Sequence, residues 1–416
     1  MNLTEMRKEP KTAKILVLSL IVCAAIAAHA KASTWKGKEL RRRMMEAVWK
    51  VGPFRMQPVL HLTNAGYDTN VYNSPADPIK DYTLTAGPGL TAYLRLRNKL
   101  VLSAYASPQY VYYYKTARER TWNFYGRADV NFLFNKFFIT AGMGYSEARE
   151  RWNTEIDIRP RRKEESVFGE VLWQMLRKTS LGFNYSRARY DYENLFFEEF
   201  NIRELLNREE EYFDFLAYYE LTPRVKFFVD YERGAFDFAD PASLRDSKSD
   251  GVYAGFEFSP FGRVRGRVKL GYKRFDAIKA SWQDFKGLVG DTDISVKLTR
   301  VLSVRGSYRQ DVRFSLWYDN AYFLESRAGA GASIYLFKKI RLDYDYSLGR
   351  NSYPGGRLST AGRREDIFII HSAGLYFRLK EDIAIGIVAS RWNRDSNFDW
   401  EDDTRDFVGL NLTYDF

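Results

Sequence analysis

The sequence predicts an all-β protein, a transmembrane antiparallel up-and-down β-barrel of about 18 strands, with 16 strands as the alternative. First, the 416 residues include 16% aromatic and 28% charged side chains at a mean hydropathy of −0.43, which indicates strands whose two faces meet two different solvents. Second, apolar and polar side chains alternate in short segments from Arg55 onward. Third, tight turns and long charged links follow one another between these segments, as in outer-membrane barrels.

Composition excludes several protein classes. One cysteine and 12 prolines exclude disulfide scaffolds, zinc clusters and collagen-like chains. The negative mean hydropathy excludes an ordinary helical membrane protein. The formal charge of +11 would suit nucleic acid, but no recognised binding module accompanies it, and basic charge suits anionic lipid headgroups equally well. We therefore expect no nucleic-acid partner and no cofactor.

Residues 1–32 have the pattern of a secretory signal peptide. Four basic residues precede an apolar run at 15–28, and small residues follow, so that cleavage is expected after Ala30 or Ala32. A retained helical anchor is disfavoured because the run is too short to span a bilayer. Lipidation of Cys23 is disfavoured because the preceding residue is not small.

Residues 33–54 are predicted to be a short periplasmic N-terminal segment. The stretch is basic and helix-prone, with three consecutive arginines at 41–43 followed by Met44. It is too short to be the plug of an energised transporter. Two interpretations remain open: a tether to a partner or to the inner leaflet, and a frayed leader. The barrel itself is assigned to residues 55–416.

The alternation that predicts strands is clearest near the C-terminus. From Ile340 to Leu348 every second residue is apolar, and the residues between them are charged or small and polar. A period of two with one apolar face is typical of a half-buried strand. Tyrosines at 110–114 and the phenylalanines at 137–138 crowd segment ends, as interfacial girdles would. A soluble β-sandwich, β-helix or propeller is the alternative, and it would not need this aromatic excess.

Eight short turns set the strand number. They join sixteen segments, and a first strand near 57–65 and a last at 407–416 give eighteen, with both termini on the periplasmic side. Two weak segments, 163–174 and 286–298, leave sixteen as the alternative. The turns lie at 97–99, 135–136, 177–179, 222–224, 261–263, 299–300, 338–339 and 380–382.

The first and last strands carry a resemblance to a known family. The C-terminal residues Leu412, Tyr414 and Phe416 alternate with polar ones, which resembles the signal by which barrel-assembly machinery recognises its clients. The stretches 51–60 and 66–72, with the later 86–90, resemble the putative β-barrel porin 2 family of Gram-negative outer membranes. The resemblance implies an outer-membrane location among lipid and lipopolysaccharide. It also implies exopolysaccharide secretion for some members, with polysaccharide export components as partners.

A basic wall is predicted inside the pore. If the apolar faces meet lipid, eight basic side chains turn inward and would favour anions such as uronate-bearing glycans or phosphate. The alternative is a structural ladder of cross-strand ion pairs, which any wet lumen can hold. The eight residues are Arg265, Arg267, Lys269, Lys273, Arg305, Arg309, Arg313 and Arg341.

Aromatic side chains and one link are further candidates. Five inward tyrosines could stack on sugar rings, or could simply fill space beneath the girdles. The link 194–209 is unusually apolar, and a helix from Ile202 to Glu209 capped by Asn201 could fold into the mouth as a constriction or lie outward at the interface. The tyrosines are Tyr93, Tyr105, Tyr218, Tyr253 and Tyr335.

No enzymatic constellation emerges from the sequence. His371 and Ser372 suggest an outer-membrane lipid hydrolase, but adjacent strand residues face opposite sides of the sheet. The acidic link 395–406 could collect Ca²⁺ or Mg²⁺, yet it matches no ordered metal loop and is expected to be a solvated loop. We therefore predict no catalytic residue and no metal site. The predicted function is a conduit for glycan or anionic solutes, by export or diffusion, with a non-conducting structural or adhesive barrel as the alternative.

Overall fold

The computed structural model describes residues 34–416 except 98, 152–154, 156–157, 198–199, 242, 244, 260–261, 279–282, 317–319, 355–362, 381 and 416. The predicted signal peptide and Phe416 lie outside the described residues. Within them, helix α1 (Trp35–Glu46) and a short strand (Trp49–Val51) precede eighteen long antiparallel strands, and helix α2 (Ile202–Leu206) lies in a link. Neither helix is long and apolar enough to span a bilayer.

The eighteen long strands follow one another around a closed sheet. In chain order they are β1 (Phe54–Asp68), β2 (Asp81–Leu96), β3 (Leu100–Tyr113), β4 (Thr121–Leu133), β5 (Phe137–Arg149), β6 (Arg161–Trp173), β7 (Thr179–Tyr192), β8 (Arg208–Thr222), β9 (Val225–Phe238), β10 (Ser247–Phe258), β11 (Val264–Ala277), β12 (Phe285–Lys297), β13 (Leu302–Phe314), β14 (Tyr322–Leu336), β15 (Ile340–Ser352), β16 (Glu365–Arg378), β17 (Ile383–Ser396) and β18 (Asp403–Asp415). Each strand pairs with the next, and β1 pairs with β18.

The seam between β1 and β18 closes the barrel. Its register runs from Val59 opposite Asp415 to Asp68 opposite Phe407 and is interrupted by one irregularity in β1. Asn64 absorbs this irregularity in the left-handed region, with φ of 52°. A closed sheet leaves no unpaired backbone edge, which is what a lipid environment requires.

The prediction of about eighteen strands is confirmed. The two weak segments at 163–174 and 286–298 are β6 and β12, which excludes sixteen. The strands are 12 to 16 residues long. In all eight cases the strand ends that flank a predicted turn lie at one end of the barrel, called here the short-turn end; the opposite end is the long-link end.

One of these turns has the backbone geometry of a two-residue hairpin connection. Phe337 and Lys338, between β14 and β15, have φ of 49° and 61°, and the amide of Lys339 donates to the carbonyl of Leu336 over 3.1 Å. Positive φ at both central residues is the property of the type I′ turn, whose twist matches that of a hairpin.

The outward face of the barrel is apolar and uncovered. Large apolar side chains on different strands, such as Met143 on β5, Val252 on β10 and Leu288 on β12, are 63%, 56% and 71% exposed. A water-soluble protein does not surround itself with a continuous exposed apolar surface of this kind. The face therefore matches the lipid-facing band of an outer-membrane barrel.

The predicted aromatic girdle is right in part. Tyr110 packs against Trp122 on the outer face, with ring centroids 5.1 Å apart. Phe138 and Tyr113, however, are buried on the inner face. The prediction was wrong for these two residues because neighbours in a strand point to opposite faces, so a run of aromatic residues cannot lie wholly in a girdle.

Helix α1 is built from local interactions. The Thr34 hydroxyl accepts a hydrogen bond from the amide of Gly37 over 3.3 Å and caps the N-terminus. Arg42 and Glu46 form an i,i+4 ion pair at 2.7 Å on the exposed side. The opposite side carries the apolar residues Trp35, Leu40 and Met44. This amphipathic helix has an apolar stripe that must find a partner surface.

Candidate functional site

The partner surface of α1 is the inner wall of the barrel. At the start of the helix, the Trp35 ring meets the Tyr218 ring edge-on at a centroid distance of 6.2 Å. The Lys226 ammonium lies 4.2 Å from the centroid of the same indole, which is cation–π geometry. Lys36 forms an ion pair with Glu170. The N-terminal half of α1 is therefore fixed to β6, β8 and β9.

The C-terminal half of α1 is fixed to the strands on the other side. Met44 is only 5% exposed, whereas its neighbour Met45 is 67% exposed. The Met44 side chain belongs to an apolar cluster at the short-turn end with Val101, Leu133, Phe138 and Leu172. The helix thus crosses part of the short-turn opening from β8–β9 to β3–β4. The sequence left two interpretations of this basic segment open, a tether and a frayed leader. Neither of them included the position observed here, in which the helix packs against the inner wall of the barrel.

A chamber remains between α1 and the wall. Its volume is about 920 Å³. Eight carboxylates and five basic side chains line it, so the part of the lumen next to the helix has an acidic excess. The carboxylates are Glu39, Asp129, Glu170, Asp214, Asp230, Glu232, Glu257 and Asp293.

The eight residues of the predicted basic wall lie on strands β11, β13 and β15, and seven of them have ion-pair partners. Lys269 contacts Asp230 at 2.7 Å, and Lys273 contacts Asp311 at 2.9 Å. Arg265 donates instead to the Gly262 carbonyl over 3.3 Å. The other pairs are Arg267–Asp230 at 3.9 Å, Arg309–Asp291 at 3.0 Å, Arg313–Glu325 at 3.2 Å, Arg341–Asp343 at 3.0 Å and Arg305–Asp345.

Six of these seven pairs form the cross-strand ladder that the sequence left open as the alternative, and the Arg341–Asp343 pair lies within β15. Arg309 lies directly opposite Asp291 in the register of β12 and β13, so the ion pair follows from strand alignment. Lys273 and Asp311 are two strands apart, and their contact spans β12. Because carboxylates sit beside the cations, the wall is a network of compensated charges rather than an unbroken positive surface.

The five candidate tyrosines divide into two groups. Tyr218 and Tyr253 are buried, and Tyr93 packs against the cluster that holds α1. The Lys269 ammonium lies 3.9 Å from the centroid of the Tyr253 ring and covers that ring. Tyr105 and Tyr335 are 38% and 37% exposed. Only these two, within the candidate set, offer open ring surface to a solute.

Helix α2 narrows the opposite opening. Asn201 caps it, its side-chain oxygen accepting from the amide of Arg203 over 3.1 Å. Ile202 and Leu206 are buried against apolar residues that include Leu316 of the β13–β14 link. Helix α2 therefore folds into the mouth as a constriction, and the alternative prediction of an outward helix at the interface was wrong. The helix ends earlier than the sequence suggested because β8 begins at residue 208.

The acidic link before β18 joins a buried ion network. Asp403 forms an ion pair with Arg394, with 2.9 Å between Oδ2 and Nε, and both side chains are fully buried. Glu401 contacts Arg364 at 3.0 Å and Arg394 at 3.6 Å, while Arg364 also pairs with Asp366 at 2.9 Å. The solvated-loop expectation was wrong for these carboxylates, which instead hold the long-link end together.

A buried carboxyl group connects two links at the same end. Glu155 is buried; it accepts hydrogen bonds from the Ser315 hydroxyl and, over 2.7 Å, from the Leu316 amide. Burial raises the pKa of Glu155 from 4.5 to about 7. The folded state thus holds this proton more tightly than the unfolded state does. The contribution to stability is greatest below the unfolded pKa and falls as the pH rises towards 7.

We therefore expect the contact between these links to loosen with rising pH. The hydrogen-exchange protection factor of the Leu316 amide, corrected for intrinsic exchange rates, should be higher at pH 5 than at pH 8. Glu155→Gln should remove this difference because an amide does not titrate. Glu204→Gln, at an exposed carboxylate of α2, should retain it. Equal protection at both pH values in the unmodified protein would contradict the assignment.

His371 and Ser372, the candidate hydrolase pair, lie on opposite faces of β16. The Nδ1 atom of His371 lies 2.8 Å from the Tyr344 hydroxyl on the outer face. Ser372 lies on the other face of the same strand, opposite Asp345, so the two neighbours do not form a serine–histidine pair. Tyr414 and Leu412 lie on the outer face at the seam, and recognition by assembly machinery stays a prediction.

Comparison with known proteins gives one family and several distant structures. A family model described as putative beta-barrel porin 2 matches residues 47–416. No curated protein matches the sequence. OpdQ of Pseudomonas aeruginosa is 11% identical, with 87% of this chain and 98% of that chain covered and a TM-score of 0.49. A BenF-like porin from Pseudomonas fluorescens Pf-5 is 10% identical, with 88% of this chain and 100% of that chain covered and a TM-score of 0.49. The siderophore receptor PirA from Pseudomonas aeruginosa is 9% identical, with 87% of this chain and 80% of that chain covered and a TM-score of 0.42.

Proposed function

The chain belongs to the putative beta-barrel porin 2 family of outer-membrane β-barrels, and from this premise we propose that it is a conduit for small glycans or other anionic solutes. The observation that carries the conduit is the charged chamber of about 920 Å³ inside a barrel whose outer face is apolar. Because this chamber has an acidic excess, the choice of anionic solutes is supported instead by the basic side chains on β11, β13 and β15. A lumen lined by ionised groups is hydrated, and its polar groups replace the hydration shell of a passing solute.

The two ends of the barrel are assigned by link length. Outer-membrane barrels have short periplasmic turns and longer outside loops. We therefore place the short-turn end, α1 and both termini in the periplasm, and α2 at the external mouth. On this assignment a solute from outside passes α2 first and α1 last.

Small solutes fit this lumen better than a polymer does. Helix α2 narrows the external mouth, and α1 covers part of the periplasmic opening. A polysaccharide chain in transit would have to pass both helices at once. Tyr105 and Tyr335 keep exposed ring surface, which supports stacking against a small sugar.

Conductance tests the proposal directly. The refolded full-length mature chain is inserted into a planar bilayer, and single-channel current is recorded across a salt gradient. Steady conductance is the expected result. A barrel that is folded, as judged by its heat-dependent gel mobility, but silent would favour the non-conducting structural or adhesive alternative.

Charge reversal inside the barrel should change ion preference. With Arg265, Arg267 and Arg309 all replaced by Glu, the permeability ratio of anion to cation should fall several-fold, because six units of charge change within the lumen. Arg309→Glu would also set two carboxylates side by side, since its present partner is Asp291. The reversal potential in a salt gradient measures the effect.

The control for this experiment is Arg274→Glu. Arg274 lies on β11, the strand that also carries Arg265 and Arg267, but it alternates onto the outer face and is exposed. It should leave the reversal potential unchanged. If the triple variant does not differ from this control, the lumen arginines do not set selectivity.

A further inference from the structure

A second cavity lies at the external mouth. It has a volume of about 420 Å³ and is enclosed by α2 and residues of β6, β13 and β14. Five arginines but only one carboxylate line it. This balance is the reverse of that in the chamber beside α1. The arginines are Arg162, Arg208, Arg309, Arg313 and Arg327, and the carboxylate is Glu325.

Glu325 is shared between two of these arginines. Its oxygens accept from Nε of Arg327 over 2.9 Å and from Nε of Arg313 over 3.2 Å. A guanidinium has five N–H donors in a planar fork. Among the described residues, the hydrogen bonds of these two arginines use only Nε, so the terminal nitrogens are available to a ligand. One negative charge for two guanidinium groups leaves a local positive excess.

A third arginine reaches the same cavity from the lumen side. Arg309 is about half exposed and donates through Nη2 to Asp291 over 3.0 Å. Arg309 and Arg313 are four residues apart in β13, so both side chains lie on the inner face. Arg208, by contrast, is largely buried and donates to Glu210 and to the Leu206 carbonyl, and so stabilises the floor of the cavity.

Apart from Tyr192, the remaining lining is apolar. Leu206 of α2 and Leu316 of the β13–β14 link form one side, and Phe314 and Phe323 form another. An inorganic anion gains nothing from such a surface, because its hydration shell would be stripped by groups that cannot replace it. A ligand with one anionic group and an apolar body satisfies both halves of the cavity.

We propose that this mouth cavity binds a small monocarboxylate with an apolar body, such as an aromatic acid. The carboxylate accepts from the terminal nitrogens of Arg313 and Arg327, the fork geometry in which guanidinium and carboxylate pair most strongly. The apolar body lies against Ile158 and Phe314, two apolar lining residues that keep accessible surface. A volume of about 420 Å³ is at the small end of ligand sites, which fits one such molecule. This site could bind its ligand whether or not the barrel conducts. The proposal rests on the proposed conduit only where it names the class of solute that the conduit would bind first.

Calorimetric titration of the detergent-solubilised full chain with benzoate tests the site without requiring transport. Saturable binding is expected, whereas benzyl alcohol, which lacks the charge, and acetate, which lacks the apolar body, should bind far more weakly. Arg313→Gln should weaken benzoate binding about tenfold or more, because a charge-assisted hydrogen bond is lost. Glu325→Gln should tighten it, because both arginines lose their competitor.

The matched control is Arg305→Gln. Arg305 lies on the same strand and the same face as Arg313 but outside the cavity, where it pairs with Asp345. It should leave benzoate binding unchanged. Arg313→Lys, which keeps the charge but loses the fork, should be intermediate. Heat-dependent gel mobility establishes that each variant is folded.

The outcomes separate the two proposals. Conductance without saturable benzoate binding would overturn the mouth site and leave the conduit intact. Binding without conductance would support the site and overturn the conduit. Equal loss of affinity in Arg313→Gln and Arg305→Gln would show that binding depends on overall charge, and the mouth site would then be rejected.

Discussion

Deletion of residues 35–46 should raise the single-channel conductance several-fold. An α-helix with its side chains is about 10 Å across, so α1 blocks a large part of the short-turn opening. The deletion removes no residue of the eighteen strands, and its effect should therefore be on the current rather than on insertion. Single-channel recordings of the two proteins at the same salt concentration and voltage measure the ratio.

Two single substitutions refine this test. Met44→Glu buries a charge in the apolar cluster and should release the end of the helix, giving a higher or flickering current. Met45→Glu changes the neighbouring, largely exposed side chain and should leave the current as it was. If the deletion leaves conductance unchanged, α1 does not limit the current, and the constriction lies elsewhere in the lumen.

Arg394→Ala should lower the free energy of unfolding by about 3–5 kcal/mol. Removing one member of a buried ion pair leaves the other group without compensation in a low-dielectric site, and here Asp403 would be left fully buried without its partner. Denaturant titration of the barrel in lipid vesicles measures the change. The loss should be smaller when Asp403→Asn is added, because no orphaned charge remains.

A second arginine on β17 provides the control. Arg391 lies three residues earlier, is 59% exposed and approaches Asp406 only to 3.8 Å. Arg391→Ala should cost at most about 1 kcal/mol, as exposed pairs do. Equal losses in Arg391→Ala and Arg394→Ala would show that the buried network does not hold the long-link end together.

The strands could be predicted because their signal is local. Alternation from Ile340 to Leu348 identifies β15 from nine consecutive residues, and the predicted turn at 338–339 lies directly before this strand. The docking of α1 could not be predicted in this way. The helix binds to a concave surface made by side chains from β3 to β9, and this surface exists only when those strands are in register.

In the candidate site, too, some features follow from local sequence and others depend on the arrangement of distant strands. Alternation selects which residues share a face with Arg309, but the partner of Arg309 depends on the alignment of β12 with β13. Once the turn between them is fixed, the sequence contains enough information to pair Arg309 with Asp291. The contact from Lys273 to Asp311 spans an intervening strand, so the curvature of the wall decides it. The arginine-lined mouth needs α2 as well, and its inward fold depends on an apolar contact with a distant link.

The position of α1 has a consequence for the order of barrel assembly. The helix is joined directly to β1, and its contacts described above lie within the first nine strands. The seam joins Val59 to Asp415 and so closes the longest loop in the chain, which makes it the costliest pairing in conformational entropy. We therefore expect the helix to be enclosed while the sheet is still open. It need not be threaded into a finished barrel, and it provides an internal template for the curvature of the N-terminal half.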